Sequence, residues 1–247
     1  MATCSYAVVP PIAGNDRENC FVYRTIEDLD AIRAASLNAK SGVVIGGGLL
    51  GLEAAKALRD LNLETHVVEF APRLMAVQID DLGGKVLRAK IENLGVKVHT
   101  QKATSSIEEG ATTKHVMKFG DGSELETDII LFSAGIRPRD ELARQSGLAL
   151  GERGGIMIND YCQTSNPDIY AIGECALWQN KIYGLVAPGY DMARIAAKHV
   201  TEQACAEFAG ADMSTKLKLM GVDVASVGDA HAMTPNALSY FYADEDT

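Results

Sequence analysis

Between Ser41 and Ser133 the chain alternates short unbroken apolar runs with longer stretches whose apolar residues recur every three or four positions. Unbroken runs read as strands buried on both faces of a parallel sheet, and the helical spacing reads as crossover helices. Val43-Val44-Ile45 is such a run, and Leu50, Ala54, Leu58 and Leu61 mark the helix after it. Thr65 to Glu69 is the next strand. Leu82, Val86, Leu87, Ile91 and Leu94 then mark a helix stopped by Gly95, and Val96 to Thr100 is a third strand. Segments from about Ala103 to Glu126, turned at Glu109-Gly110 and Gly120-Asp121-Gly122, predict a three-stranded β-meander. A buried strand follows from Thr127 to Ser133. Upstream, Met1 to Asp16 is extended, with turn signals at Pro10-Pro11 and Gly14-Asn15-Asp16. Thr25 is placed to cap a helix from about Ile26 to Ala39, with Asp28 in its first turn.

The character changes at Leu148. Arg153-Gly154-Gly155 turns the chain into the strand Ile156-Met157-Ile158. Asn166-Pro167 precedes Asp168 to Glu174, which predicts a strand ending in a glycine and a carboxylate. Leu185 to Gly189 leads into a helix expected from about Tyr190 to Phe208. Strand-like pieces then run from Thr215 to Tyr242 before an acidic end.

The candidate chemistry starts at Gly46-Gly47-Gly48-Leu49-Leu50-Gly51, a G-x-G-x-x-G directly between the first strand and its helix. Glu69 ends the second strand, 18 residues beyond Gly51. Strand, glycine loop, helix, strand and terminal acid thus occur in the order of a dinucleotide-binding βαβ unit. Gly46 permits the tight turn, Gly48 lets a pyrophosphate approach the backbone, and Gly51 lets helix and strand pack closely. Unpaired amides and the positive end of the helix dipole face the phosphates. Glu69 would accept from both adenosine ribose hydroxyls and repel a 2′-phosphate, which favours NAD(H). Arg73 lies close enough in sequence to keep NADP(H) as the alternative. Gly135, at the carboxyl end of the strand Thr127 to Ser133, is either a ligand-approach position or a plain turn.

Composition narrows the classes. Hydrophobic residues make up 47% and charged residues 23% of 247 residues, an ordinary globular balance. Lys and Arg number 23 against 33 Asp and Glu, a net charge of -10 without a basic stripe, which argues against nucleic acid and anionic membranes as partners. No apolar run reaches the length of a membrane span, and no secretory signal is visible. Cys4, Cys20, Cys162, Cys175 and Cys205 are scattered without a C-x-x-C pair, which fits reduced thiols in the cytoplasm. The five histidines show no metal-ligand spacing, so no metal is expected.

Several stretches together resemble the pyridine nucleotide-disulfide oxidoreductase superfamily. They are Arg24-Thr25-Ile26-Glu27-Asp28, Gly46 to Ala55, Glu69 to Met75, Gly135-Ile136-Arg137-Pro138-Arg139, Tyr170 to Ala176 and Ser214 to Val224. Within it they look most like the large subunit of NAD(P)H-dependent nitrite reductases, with rubredoxin and ferredoxin reductases as the alternative. The resemblance implies a Rossmann-like NAD-binding domain over about 25–147. Around it would lie parts of a FAD domain over 1–24 and 148–210, and the start of a C-terminal region over 211–247. It implies that Gly46, Gly47, Gly48, Leu49, Leu50, Gly51, Glu69 and Arg73 hold the nucleotide, with Gly135 and Ile136 beside it. Glu53 would lie near nicotinamide and flavin as the catalytic-site residue. Thr3 lies in Ala2-Thr3-Cys4, which is similar to the A-T-G stretch closing the first flavin segment, with Cys4 where glycine is usual. Gly173-Glu174 matches the second flavin motif, where glycine-aspartate is usual, and its carboxylate would meet the ribityl chain. Ala187 and Pro188 would open a helix whose amides face the flavin pyrimidine edge. No G-x-G-x-x-G precedes residue 42, so most of a flavin domain is expected to be missing, together with the iron–sulfur and sirohaem modules of a nitrite reductase. The expectation is a NAD(P)H-dependent flavoprotein oxidoreductase in its full-length form, with FAD binding by this chain in doubt and self-association through exposed apolar surface. A non-catalytic nucleotide-binding fragment is the competing reading.

Overall fold

The computed structural model describes residues 1–242 except Cys205, Met220, Ser239 and Phe241; these four and the acidic end, residues 243–247, lie outside the described residues. In chain order the elements are β1 (Ser5–Ala7), β2 (Cys20–Val22), α1 (Ile26–Ser36), β3 (Ser41–Ile45), α2 (Leu49–Asp60), β4 (Glu64–Val68), α3 (Asp81–Asn93) and β5 (Lys97–His99). There follow β6 (Thr104–Glu109), β7 (His115–Phe119), β8 (Glu124–Thr127), β9 (Ile129–Phe132), β10 (Ile136–Pro138), α4 (Glu141–Gln145) and β11 (Ile156–Ile158). A 3₁₀ turn (Gly173–Cys175), β12 (Ala176–Trp178), α5 (Val186–Val200), β13 (Thr215–Leu219) and β14 (Val222–Ser226) complete the set. Two compact units result. One joins Met1–Tyr6 to Ile136–Met213, and the other joins Ala7–Gly135 to the segment from Ser214 onward.

The second, larger unit is built on a parallel sheet in the order β2-β9-β3-β4-β5. Every residue of β3 and β9 is buried, as expected for central strands covered on both faces. One face carries the helices. Leu52, Ala54, Ala55 and Leu58 of α2 and Leu87 and Ile91 of α3 pack there with Val44, Val67, Val98 and Leu131. Leu50, expected on the buried side of α2, is instead 46% exposed, because the helix turns Leu52 and Ala55 toward the sheet. The antiparallel meander β6-β7-β8 covers the other face, where Ile107, Met117 and Phe119 meet Val43, Ile45, Val68 and Phe132. Thr25 caps α1 as anticipated: its hydroxyl accepts from the Asp28 N–H at 3.2 Å while the Asp28 carboxylate accepts from the Thr25 N–H.

The boundaries of this unit differ from those expected from sequence. It begins at Ala7 and closes at Gly135, and it takes in the β13–β14 hairpin. The physical reason is burial: Leu217 and Val222 of the hairpin enter the same core as α2 and α3.

The other unit holds β1 paired with β10 and β11 paired in parallel with β12, around a core including Ile156, Cys162, Cys175, Trp178, Met192 and Phe208. Asp168 to Glu174, expected as a strand, makes only a single bridge, Tyr170 to Gln163. Gly173 at φ +75° then turns the chain into the 3₁₀ turn. Helix α5 starts at Val186, earlier than expected, since Pro188 fits the first turn where no N–H is required. It ends at Val200, and Phe208 is buried outside it, its N–H donating to the Asp160 carbonyl at 2.7 Å. Among the described residues no helix is long and apolar enough to cross a membrane, and no group of His, Cys, Asp and Glu could hold a metal.

Candidate nucleotide-binding site

The glycine loop leaves the carboxyl end of β3 and opens α2, and each glycine answers a different constraint. Gly46 sits at φ +121°, and a Cβ there would lie 2.2 Å from the Ser133 carbonyl oxygen. A Cβ on Gly51 would come within 1.9 Å of the Gly46 carbonyl oxygen, so helix and loop close only over a hydrogen. At Gly48 a Cβ would meet nothing within 4 Å. That position faces the open cleft, so the missing side chain leaves space for a ligand. Helix α2 starts with Gly48 as N-cap, without a side-chain cap and without an acid in its first turn. Its first amides and dipole are therefore available to an anion. Leu49 is half-buried against the helix-side core, and Leu50 lies exposed beside it.

Glu69 follows β4 and bends back to this loop. Its carboxylate accepts from the Gly47 N–H at 2.5 Å and the Ala71 N–H at 2.7 Å, while its own N–H donates to the His99 carbonyl at 2.8 Å. The acid is thus held by backbone on three sides at the mouth of the loop. Arg73 is not brought to this mouth. Its guanidinium donates to the Ile79 carbonyl at 3.0 Å and pairs with Asp81 at 2.5 Å, and its stem packs under Gly84. Glu53, on α2, is exposed and does not line the cleft.

The cleft itself, about 490 Å³, runs over the carboxyl ends of four strands. Thr104, Ala103 and Lys102 stand beyond β5, Glu69 and Phe70 beyond β4, Gly46 and Gly48 beyond β3, and Ser133 to Gly135 beyond β9. Gly135 has φ +99° and open space where a Cβ would be. Gly46, Gly48, Glu69 and Gly135 therefore line one cleft. Pro10, Ile12, Phe70, Lys102 to Thr104 and Ser133 also line the cleft and were not anticipated. The signal for most of them was present, since the residue after each strand of a doubly wound sheet faces the ligand crevice.

The other unit gathers a second set. Cys4, standing where the resemblance calls for glycine, has φ +64°, the left-handed region glycine favours. Its Sγ donates to the Glu174 carboxylate at 3.3 Å, and the buried Ser5 hydroxyl donates to the same oxygen. The Thr3 hydroxyl donates to the Arg139 carbonyl at 2.5 Å. Gly173 has no neighbour within 4 Å of a Cβ position, and Gly189 packs against its Cα. Val186 and Ala187 lie exposed in the first turn of α5, which carries no side-chain cap and no acid, while Pro188 is buried. Ile136 belongs to this unit as the first residue of β10. Cys175 is buried, its thiol donating to the Ile172 carbonyl, a packing position.

Known proteins bear on both units. A family model described as pyridine nucleotide-disulphide oxidoreductase matches residues 1–200. The chain is 61% identical to the NADH nitrite reductase large subunit of Escherichia coli (strain K12), over 99% of this chain and 29% of that protein. It is 41% identical to the NAD(P)H nitrite reductase of Bacillus subtilis (strain 168), over 93% of this chain and 28% of the relative. The chain therefore spans less than a third of the length of these relatives. Among solved structures, a NAD-dependent persulfide reductase from A. fulgidus superposes with a TM-score of 0.84 at 28% identity, over 92% of this chain and 43% of that one. With the family match running through both units and 200 of 247 residues, the chain belongs to the pyridine nucleotide-disulphide oxidoreductase family.

Proposed function

We propose that this chain is the NAD(H)-binding part of a flavoprotein oxidoreductase of the nitrite reductase large-subunit type, working in the cytoplasm. The observation that carries the reading is the cradle formed by Gly46, Gly48, Gly51 and Glu69. Gly48 leaves open space on the cleft side, and the acid is fixed by backbone at the mouth of the loop, which suits an adenosine ribose. Glu69 favours NAD(H) over NADP(H), and Arg73, tied to Ile79 and Asp81, offers no counter-charge for a 2′-phosphate. In the other unit Gly173, Glu174 and the start of α5, with Thr3 nearby in sequence to Cys4 and Ser5, are the residues that would hold FAD. The flavin, when bound, supplies the hydride-accepting chemistry, and the longer protein would pass the electrons to iron–sulfur and sirohaem centres outside this chain. The chain's own residues contribute binding: Gly48 and the α2 amides take the pyrophosphate, Glu69 fixes the ribose, and Gly135 allows close approach toward the nicotinamide end. Glu53 is assigned to the neighbourhood of nicotinamide and flavin.

A second reading is a nucleotide-binding chain that does not hold FAD. Among the described residues, Gly46–Gly51 is the only glycine loop between a buried strand and a helix. Visible spectra of the purified protein with and without added FAD, before and after NADH, separate the two. A flavin band bleached by NADH is expected from the first reading; NADH binding in calorimetry without any flavin band supports the second. Absence of NADH binding by a folded protein would reject both.

A further inference from the structure

Two imidazoles lie where β4 pairs with β5 and do not line the cleft. His66 of β4 is buried and His99 at the end of β5 is half-buried. Their rings are parallel within 4°, with His66 Nδ1 3.0 Å from His99 Nε2. The proton order along this contact follows from its far end. Glu64 is paired with Lys97, and its carboxylate, an acceptor only, stands 3.4 Å from His66 Nε2. His66 Nε2 therefore carries the ring proton toward Glu64, which leaves Nδ1 to accept from His99 Nε2–H. The other charges around the pair belong to Lys97, to Arg88 of α3 and to Lys102, which pairs with Asp121 of the β7–β8 turn. Arg88 also donates to the Val98 carbonyl at 3.1 Å and the Thr100 hydroxyl at 3.3 Å. β5 is an edge strand of 3 residues, yet its end clips Glu69 by main chain on both sides. The Glu69 N–H donates to the His99 carbonyl at 2.8 Å, and the Lys102 N–H donates to the Glu69 carbonyl at 3.0 Å.

We propose that His66 and His99 are positioning residues for Glu69: as an uncharged, hydrogen-bonded pair they hold the end of β5 against β4, and the His99 carbonyl then sets the acid for the nucleotide. The proposal rests on the NAD(H) reading above. A proton on the pair works against this hold. Added at His66 Nδ1, it would set two donors against each other; added at His99 Nδ1, it would place a cation beside Lys97, Lys102 and Arg88. Burial holds both imidazoles below their ordinary 6.5, helped at His99 by His66 and by the three cations, so the pair is uncharged at neutral pH. Charge on the pair pushes β5 from β4 and loosens the grip on Glu69. Nucleotide affinity is therefore full above pH 6.5 and falls as the pair takes up a proton below it.

The test is calorimetry of the whole chain with NAD⁺, which has no group that titrates near neutral pH, at about pH 7.5 and about pH 5.5. Wild type is expected to bind about tenfold more weakly at the lower pH, the equivalent of about one unit of linked pKa. The double variant His66→Gln with His99→Gln keeps hydrogen-bonding side chains but has no proton to take up. It should bind within about threefold of wild type at the higher pH and equally well at both. In proton NMR of wild type, saturating NAD⁺ should move both imidazole titrations to lower pH by the reciprocity of linkage, which a merely structural pair would not show. That arm needs no variant to fold, and circular dichroism checks folding at both pH values. An unmoved imidazole titration, or the same pH dependence in the double variant, overturns the positioning role and leaves the nucleotide reading standing. Failure of folded wild type to bind NAD⁺ at either pH overturns the nucleotide reading, and the positioning role falls with it.

Discussion

The glycine loop after β3 and the Gly173–Glu174 turn are both glycine-plus-acid motifs in one chain, yet they are held in different ways. In the loop, backbone meets backbone. Gly46 and Gly51 are required by carbonyl oxygens within 2.2 Å and 1.9 Å of where a Cβ would sit, and Glu69 is fixed by amides. No side chain elsewhere can compensate for a change there. At the turn, side chain meets side chain: Cys4 and Ser5 both reach one oxygen of Glu174. The two residues that depart from what the resemblance implies, Cys4 for glycine and Glu174 for aspartate, thus meet at a single hydrogen-bonded group. A motif set by backbone approach tolerates no such drift, whereas one set by side-chain reach does.

The comparison breaks most visibly at Gly51. Gly51→Ala should destabilise the larger unit by about 3 kcal/mol and abolish NADH binding, because the new methyl overlaps the Gly46 carbonyl. Gly48→Ala is its control. With no protein atom within 4 Å of the added Cβ, stability should fall by about 1 kcal/mol at most, while NADH affinity drops at least about tenfold. Thermal melts and calorimetry on the same samples would separate the two; equal effects on folding would show that Gly48 does not face a ligand. A smaller effect is expected at Glu69. Glu69→Ala should erase a preference for NADH over NADPH of about tenfold or more, read as the ratio of the two dissociation constants. An unchanged ratio would remove the acid from that role.

On the other side of the comparison, Cys4→Gly should stabilise the unit carrying the turn by about 1 kcal/mol in thermal melts, since it relieves a left-handed residue. A loss of stability would mean that the thiol contact with Glu174 outweighs that strain. The mildest effect is pH-dependent. Burial holds the imidazoles of His66, His99 and His115 below their ordinary value of 6.5. His66 and His99 stack with ring nitrogens 3.0 Å apart, and Lys97, Lys102 and Arg88 add to the depression of His99. The unfolded chain takes up protons first as pH falls, so stability present above pH 6.5 is lost below it. Melting temperature should fall from about pH 7.5 to about pH 5.5, and less so in His66→Gln.

Light scattering gives one further check. Val186 is 72% and Tyr190 63% exposed at the start of α5, and self-association through such apolar surface is expected. A clean monomer would contradict it.

Local chemistry determined a large share of this molecule. The order of buried strands and amphipathic helices, the cap at Thr25 and the glycine loop with its acid could all be read directly. Each depends on neighbours a few residues away or on a spacing that repeats. The meander was legible from its glycine turns for the same reason. Tertiary structure decided the rest. Whether Asp168 to Glu174 formed a strand depended on a pairing partner, and among the described residues its one bridge is Tyr170 to Gln163. Arg73 lay near Glu69 in sequence, but Ile79 and Asp81 drew its guanidinium away. The β13–β14 hairpin joined the larger unit because Leu217 and Val222 found apolar cover there. Phe70 and Thr104 came to one cleft only because β4 and β5 are neighbours in the sheet. Contacts between distant segments are set by where the sheet and core place them, and no local pattern carries that information.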